Sequence, residues 1–289
     1  MELAGLVASV VHPATARGAI VAFVGAGGKT TGLYALAGEL AATGARVLVT
    51  TTTMIYDPVR EGGRGLDGVD VLPEFSPDAG DGSPASIASR KRALDRVGAR
   101  AASGSVFCVA SRSLPAEGKL RGIDPGLLET LAPAFDWLLV EADGSRRLPV
   151  KAPGSTEPVM PSGTDLVLGC VGLDCLGAPI AAGTVHRHDL FARLAGAAPG
   201  EAITAAHLAA LAAAKDGLFK AAPPSARRVV ALNKADLLPA GRLGAVLDAF
   251  DGVSAQGVDL VAACRFAAPF DRVVAVRRVD PRPHAPVVE

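Results

Sequence analysis

Three short groups of residues have the types and spacing needed to act on a phosphorylated ligand. The first is Gly25-Ala26-Gly27-Gly28-Lys29-Thr30-Thr31. Glycines let backbone N–H groups turn inward around anionic oxygens. A helix N-terminus adds unpaired donors and partial positive charge. Lys29 can neutralise outer phosphates, and the Thr30 hydroxyl can ligate Mg²⁺. The usual spacing Gly-x-x-x-x-Gly-Lys-Ser/Thr puts its first glycine at position 23, which here is Phe23. Gly25, Gly27 and Gly28 must therefore supply the flexibility. The second group is Glu141 and Asp143, at the end of the apolar run 137–140. Period-2 alternation puts both carboxylates on one side of an extended chain. There they can hold Mg²⁺ through water or orient an attacking water, which makes Lys29, Glu141 and Asp143 the expected catalytic set. The third group is Asn233-Lys234-Ala235-Asp236, after the apolar run 229–232. An ionised Asp236 can accept hydrogen bonds from guanine N1–H and its exocyclic amine, a donor pair adenine lacks. The Lys234 stem can lie over the base, and the Asn233 amide can tie this loop to the glycine loop. The competing reading has Asp236 capping a helix over 237–250.

Each group needs an element to deliver it. Residues 20–24 read as a buried parallel strand. Leu33, Leu36, Ala37 and Leu40 follow at helical spacing, and Gly44 marks a helix end. A second strand from Arg46 finishes in Thr50-Thr51-Thr52-Thr53. Strand propensity explains most of these threonines, yet their position is where metal or γ-phosphate ligands often sit. Thr52 joins Thr30, Glu141 and Asp143 as an expected Mg²⁺ ligand, with Thr51 and Thr53 as contact candidates. Residues 57–84 read as loops around a short strand at 69–72, and 86–102 as a helix with a solvated basic face. A strand at 106–110 comes next, then a loop and short helix within 114–131, and strands at 136–144 and 165–173. Thr204 caps an alanine-rich helix through 218, and late strands fall at 258–263 and 273–276. In open parallel sheets, ligands sit at the carboxyl ends of strands, so the three groups should share one crevice. The expected fold is α/β: a three-layer, doubly wound, mostly parallel sheet, P-loop NTPase-like, forming one domain over 1–280 with a flexible tail at 281–289.

Bulk properties narrow the function. Lys and Arg total 29, as do Asp and Glu, which gives no electrostatic reason to bind nucleic acid or an anionic membrane. Four scattered cysteines fit a reducing compartment rather than a disulfide framework. Cys170 and Cys175, near His186 and His188, are spaced more loosely than most zinc-site pairs. The N-terminus lacks a basic, apolar leader, and no apolar run reaches the ~18–20 residues of a membrane helix. A soluble cytoplasmic protein is expected. The polar segment 145–161 adds Arg146, Arg147 and Lys151 as candidates for anion contacts.

Taken together, Val24 to Thr31, Val49 to Thr53, Val140-Glu141-Ala142-Asp143-Gly144-Ser145, Leu148-Pro149-Val150-Lys151-Ala152-Pro153, Glu157-Pro158-Val159, His186-Arg187 and Asn233 to Asp236 resemble the YqeC family. That family is described as selenium cofactor biosynthesis proteins, or accessory proteins of selenium-dependent molybdenum hydroxylases. The resemblance spans about residues 20 to 240. It departs at Thr156, where a histidine is expected before Glu-Pro-Val. More distantly, the layout is similar to GTPases that assist nickel insertion. The three residue groups point to a Mg²⁺-dependent NTPase, GTP preferred over ATP, and the resemblance implies that it supports maturation of such a hydroxylase or its cofactor. It also implies substrate or partner contacts at Thr51, Thr53, Arg146, Lys151, Glu157, His186 and Arg187, and allows a homodimer. Two alternatives stay open: a nucleotide-gated delivery module with little turnover, and a kinase or nucleotidyl transferase acting on a small anionic precursor.

Overall fold

In the parallel strands at the centre of this protein, apolar residues run without alternation, because both faces of the sheet are covered. β1 (Ala19–Gly25) and β10 (Leu166–Gly172) are buried at all seven positions, and β8 (Trp137–Glu141) at all five. A computed structural model describes residues 1–14, 16–60, 65–80, 82–239, 241–251, 253 and 257–279. The expected tail at 281–289 lies outside these. The other strands of the main sheet are β2 (Val47–Thr51), β4 (Gly68–Val71), β5 (Val106–Ala110), β12 (Arg227–Asn233), β13 (Leu260–Cys264) and β14 (Val273–Arg278). The nine-stranded order is β14-β13-β12-β10-β1-β8-β2-β5-β4. Every pairing is parallel except β13 with β14. The result is a mixed α/β fold around a large, mostly parallel sheet.

Helices cover both faces. On one, α1 (Leu3–Ala8) and α2 (Lys29–Ala42) pack Leu6, Leu33 and Leu36 against Val21, Phe23 and Leu168. Phe23, where the usual loop spacing asks for glycine, is thus a core residue of β1. The opposite face is covered in two parts. α3 (Pro84–Ala99) and α4 (Leu127–Leu131) lie over Ile20, Leu48 and Leu138. α5 (His188–Ala195), α6 (Ala205–Ala213) and α7 (Arg242–Asp248) lie over Val24, Val167 and Val230. No described helix is long and apolar enough to cross a membrane.

Several elements differ from the sequence expectation for local reasons. α3 starts at Pro84 rather than 86, because the Ser83 hydroxyl accepts from the Ser86 amide and Pro84 takes the first helical position. The alanine-rich helix stops at Ala213, not 218. Leu218 N–H returns to the Leu211 carbonyl, and Gly217 passes so close that a β-carbon there would lie 1.9 Å from that oxygen. The helix expected over 237–250 is present but shorter, as α7 (Arg242–Asp248), because a 3₁₀ turn at Ala235–Leu237, Pro239 and Gly241 come before it. A second sheet has one strand, β7 (Lys119–Arg121), within the segment 114–131 read as loop and short helix. β3 (Met54–Tyr56), β6 (Arg112–Leu114) and β7 pair antiparallel in the order β3-β7-β6. β9 (Val150–Lys151) and β11 (Val185–His186) form a two-residue parallel ladder.

Candidate functional site

β1 ends at Gly25, and α2 begins at Lys29 after three intervening residues, with Gly28 as its N-cap. Gly25, Gly27 and Gly28 have φ of 87°, 76° and 115°, a region that favours glycine. Space also demands it at Gly27, where a β-carbon would sit 2.1 Å from the Gly172 nitrogen. The amides of this loop do not all face a ligand. Gly25 N–H donates to Asp143 Oδ2 at 3.0 Å, Ala26 N–H to the Cys170 carbonyl at 2.9 Å, and Gly27 N–H to the Leu148 carbonyl at 3.1 Å. The donors left are at the first turn of α2, residues 28–31, whose N–H groups have no partner within a helix. The amides of Gly25, Ala26 and Gly27 are thus taken up by the protein itself.

Lys29 and Asp143 occupy the centre of a buried chain of charges. Lys29 Nζ donates to the Gly25 carbonyl at 2.7 Å and pairs with Asp143 Oδ1 at 3.1 Å. Asp143 Oδ2 pairs with Lys151 Nζ at 3.0 Å, and all three side chains are at most 2% exposed. Lys151 Nζ also donates to Glu157 Oε2 at 2.6 Å and to the Gly144 carbonyl at 2.7 Å. Arg187 Nη1 reaches the same Glu157 oxygen at 2.7 Å and the Ala152 carbonyl at 3.1 Å. Burial pulls the Lys29 ammonium down, but Asp143 and Glu141 outweigh it, so its pKa is raised. Burial pushes the Glu157 carboxyl up, but Arg187 and Lys151 bring it down to about 2. Burial, followed by the charges of Arg187, Lys151 and Arg146, lowers the His186 imidazole.

The Asp143 carboxylate is held by two lysines and a backbone amide at the foot of the glycine loop. Glu141 is the carboxylate that faces the site. Its Oε2 accepts from Thr30 Oγ1 at 2.8 Å, and burial raises its pKa above the ordinary range. Thr51 and Thr52 are also frame residues. Thr51 Oγ1 donates to the Glu141 carbonyl at 2.7 Å, and Thr52 Oγ1 to the Val159 carbonyl at 2.7 Å.

A cavity of about 1030 Å³ opens on this cluster. The expected residues that line it are Gly27, Gly28, Lys29, Thr30, Thr31 and Glu141, and from other segments Thr53, Arg146, Glu157, His186, Arg187 and Lys234. Lys151 is buried behind it. Asn233 is buried beneath the loop, where its Nδ2 donates to the Gly27 carbonyl at 2.7 Å and its Oδ1 accepts from Phe266 N–H at 2.9 Å. Lys234 adopts φ 65° and pairs with Asp174 at 2.6 Å. Asp236 is exposed, lies outside the cavity lining and does not cap α7. Met54, Tyr56, Lys119 and Asp174 went unnoticed in the sequence. Tyr56 and Lys119 sit on three-residue strands, below the length at which alternation can be read.

One consequence is a pH dependence. Glu157 is held well below its ordinary carboxyl range, so its ion pairs stabilise the fold above the unfolded pKa of ~4.5. That contribution is lost as pH falls from there through about 2. Urea unfolding midpoints of wild type and Glu157→Gln should differ most above pH 5 and converge toward pH 2.

No three described His, Cys, Asp or Glu side chains converge as a metal cage. The Thr30 hydroxyl and Glu141 carboxylate together instead fit Mg²⁺, which takes few protein ligands and completes its shell with water and phosphate oxygens. All four cysteines are free and buried.

The YqeC protein family matches residues 21–189 of the chain. The Escherichia coli (strain K12) protein named "Uncharacterized protein YqeC" is 34% identical over 224 residues, covering 75% of this chain and 77% of its own length. No solved structure matches the chain.

Proposed function

The chain belongs to the YqeC family, and from that premise and the geometry of the glycine loop we propose that it is a Mg²⁺-dependent nucleoside triphosphatase of P-loop type. The observation that carries this reading is the 2.8 Å contact between Thr30 Oγ1 and Glu141 Oε2 at the start of α2. It joins a hydroxyl and a carboxylate directly beside free helix N-terminal amides and a lysine, the parts that phosphoryl chemistry requires. Thr30 and Glu141 would hold Mg²⁺, which when bound screens phosphate charge and polarises the bond to be broken. The amides of 28–31 orient the phosphates. Lys29 leaves the Gly25 carbonyl to meet them and supplies positive charge where negative charge develops. Asp143 stays neutralised by Lys151 when Lys29 moves, so the loop keeps its anchor. Glu141, with its raised pKa, sets a competition between proton and metal: Mg²⁺ affinity falls as pH drops.

Guanine is the proposed base. The Asn233–Gly27 bond brings the Asn-Lys-x-Asp turn up to the glycine loop, Lys234 reaches the cavity, and Asp236 presents an exposed carboxylate two residues on. In the family's implied setting, hydrolysis would serve maturation of a selenium-containing molybdenum hydroxylase or its cofactor. A competition titration tests the base. GTP should bind more tightly than ATP by about tenfold or more, and Asp236→Ala should erase the difference. Preference for ATP, unmoved by that substitution, would overturn the guanine reading.

A further inference from the structure

The start of α2 uses only part of the cavity. A second set of lining residues, Tyr56, Lys119, Arg146 and Arg147, is assembled from β3, β7 and the segment after β8. The Arg147 guanidinium carbon lies 4.0 Å from the centroid of the Tyr56 ring, and Lys119 Nζ lies 5.5 Å from the same centroid. The ring attracts both cations, but it also holds two like charges near each other.

The backbone is arranged for the same end. Arg146 and Arg147 have φ of 53° and 61°. Two successive non-glycine residues in the left-handed region cost about 1–2 kcal/mol each. Solvated arginines on a plain surface loop need no such conformation. Here it presents both guanidinium groups at a cavity.

Charge counting points the same way. Among the described residues, and leaving Arg147 aside, five lysines and arginines line the cavity against two carboxylates, Glu141 and Glu157. Glu141 is engaged by Thr30, and Glu157 by Lys151 and Arg187. Lys29 and Lys234 have their own partners in Asp143 and Asp174. Lys119 has only the half-exposed Glu117 at 3.7 Å, and no described carboxylate pairs with Arg146. The positive field reaches His186, whose lowered pKa owes part to Arg146.

We propose that Tyr56, Lys119, Arg146 and Arg147 form a subsite for a second, anionic ligand, a small molecule bearing a phosphomonoester or carboxylate, bound in the same cavity as the nucleotide. The proposal rests on the nucleotide reading for what fills the remainder of the cavity. It gives that reading a second substrate class: the anion sits beside the phosphates rather than in place of them.

The test uses the full chain saturated with a non-hydrolysable GTP analogue and Mg²⁺. Inorganic phosphate is titrated in one arm and acetate in the other, followed by calorimetry. Saturable binding of one anion per chain is expected, and the stronger arm identifies the anionic group. Arg146→Ala and Lys119→Ala should each weaken it about tenfold, the worth of one charge-assisted contact, with analogue affinity changed less than twofold. Absence of saturable binding in both arms, or binding indifferent to both substitutions, would overturn the subsite. So would loss of the analogue instead, which would place these residues on the nucleotide. If wild type binds no analogue, the nucleotide reading fails by itself. Phosphate titrated into the nucleotide-free chain then decides the subsite: sensitivity to Arg146→Ala supports it, and sensitivity to Lys29→Ala alone overturns it.

Discussion

Lys29→Ala is expected to lower the proposed nucleotide hydrolysis by about 10³-fold or more, the scale seen when a preorganised cation is removed from a phosphoryl-transfer site. The effect is electrostatic. Lys29 is 3% exposed and its ammonium is kept charged by Asp143 and Glu141. It would therefore meet developing phosphate charge in a poorly screened place. Asp143 keeps Lys151 at 3.0 Å and the Gly25 amide at 3.0 Å in that variant, so part of its buried pairing survives the loss of Lys29. Steady-state phosphate release, paired with thermal unfolding of the same variant, checks both halves. Unchanged turnover would remove Lys29 from the chemistry.

The second large effect separates the two carboxylates that follow β8. Asp143→Asn leaves two buried lysines facing a neutral side chain, and breaking buried ion pairs of this kind costs about 3–5 kcal/mol. Its first symptom is therefore a shift of the urea midpoint. Glu141→Gln keeps the Thr30 hydroxyl as a hydrogen-bond partner and stays within about 1 kcal/mol of wild type in stability. Its symptom is a fall in Mg²⁺-dependent turnover of about a hundredfold or more. If Asp143→Asn unfolds like wild type and loses only turnover, Asp143 belongs on the metal and Glu141 on the frame.

That division of labour was not readable from Glu141-Ala142-Asp143 alone. Alternation places the two carboxylates on one side of the strand, but which one meets a cation depends on Lys151. Lys151 arrives through β9, a two-residue strand whose pairing with β11 leaves no periodic mark. The central strands were legible for the opposite reason. Ile20, Val21, Phe23 and Val24 are all fully buried, and a strand covered on both faces writes an unbroken apolar run. The glycine loop was legible because φ and close packing both exclude a side chain at Gly27. Helix ends were misread where a tertiary contact decides them. Gly217 turns under the last carbonyls of α6, and Pro239 with Gly241 delays α7. Tyr56 and Lys119 were invisible as site residues because only the antiparallel ladder of Met54 with Arg121 and Tyr56 with Lys119 carries them to the cavity.

The central claim is that the start of α2 holds a Mg²⁺-nucleoside triphosphate, and equilibrium binding tests it most directly. A non-hydrolysable GTP analogue titrated into the full chain, with and without Mg²⁺, should bind one per chain in a Mg²⁺-dependent manner. Lys29→Ala should weaken it at least about 50-fold, or ~2.3 kcal/mol. No saturable binding, or binding indifferent to both Mg²⁺ and Lys29→Ala, would contradict the account.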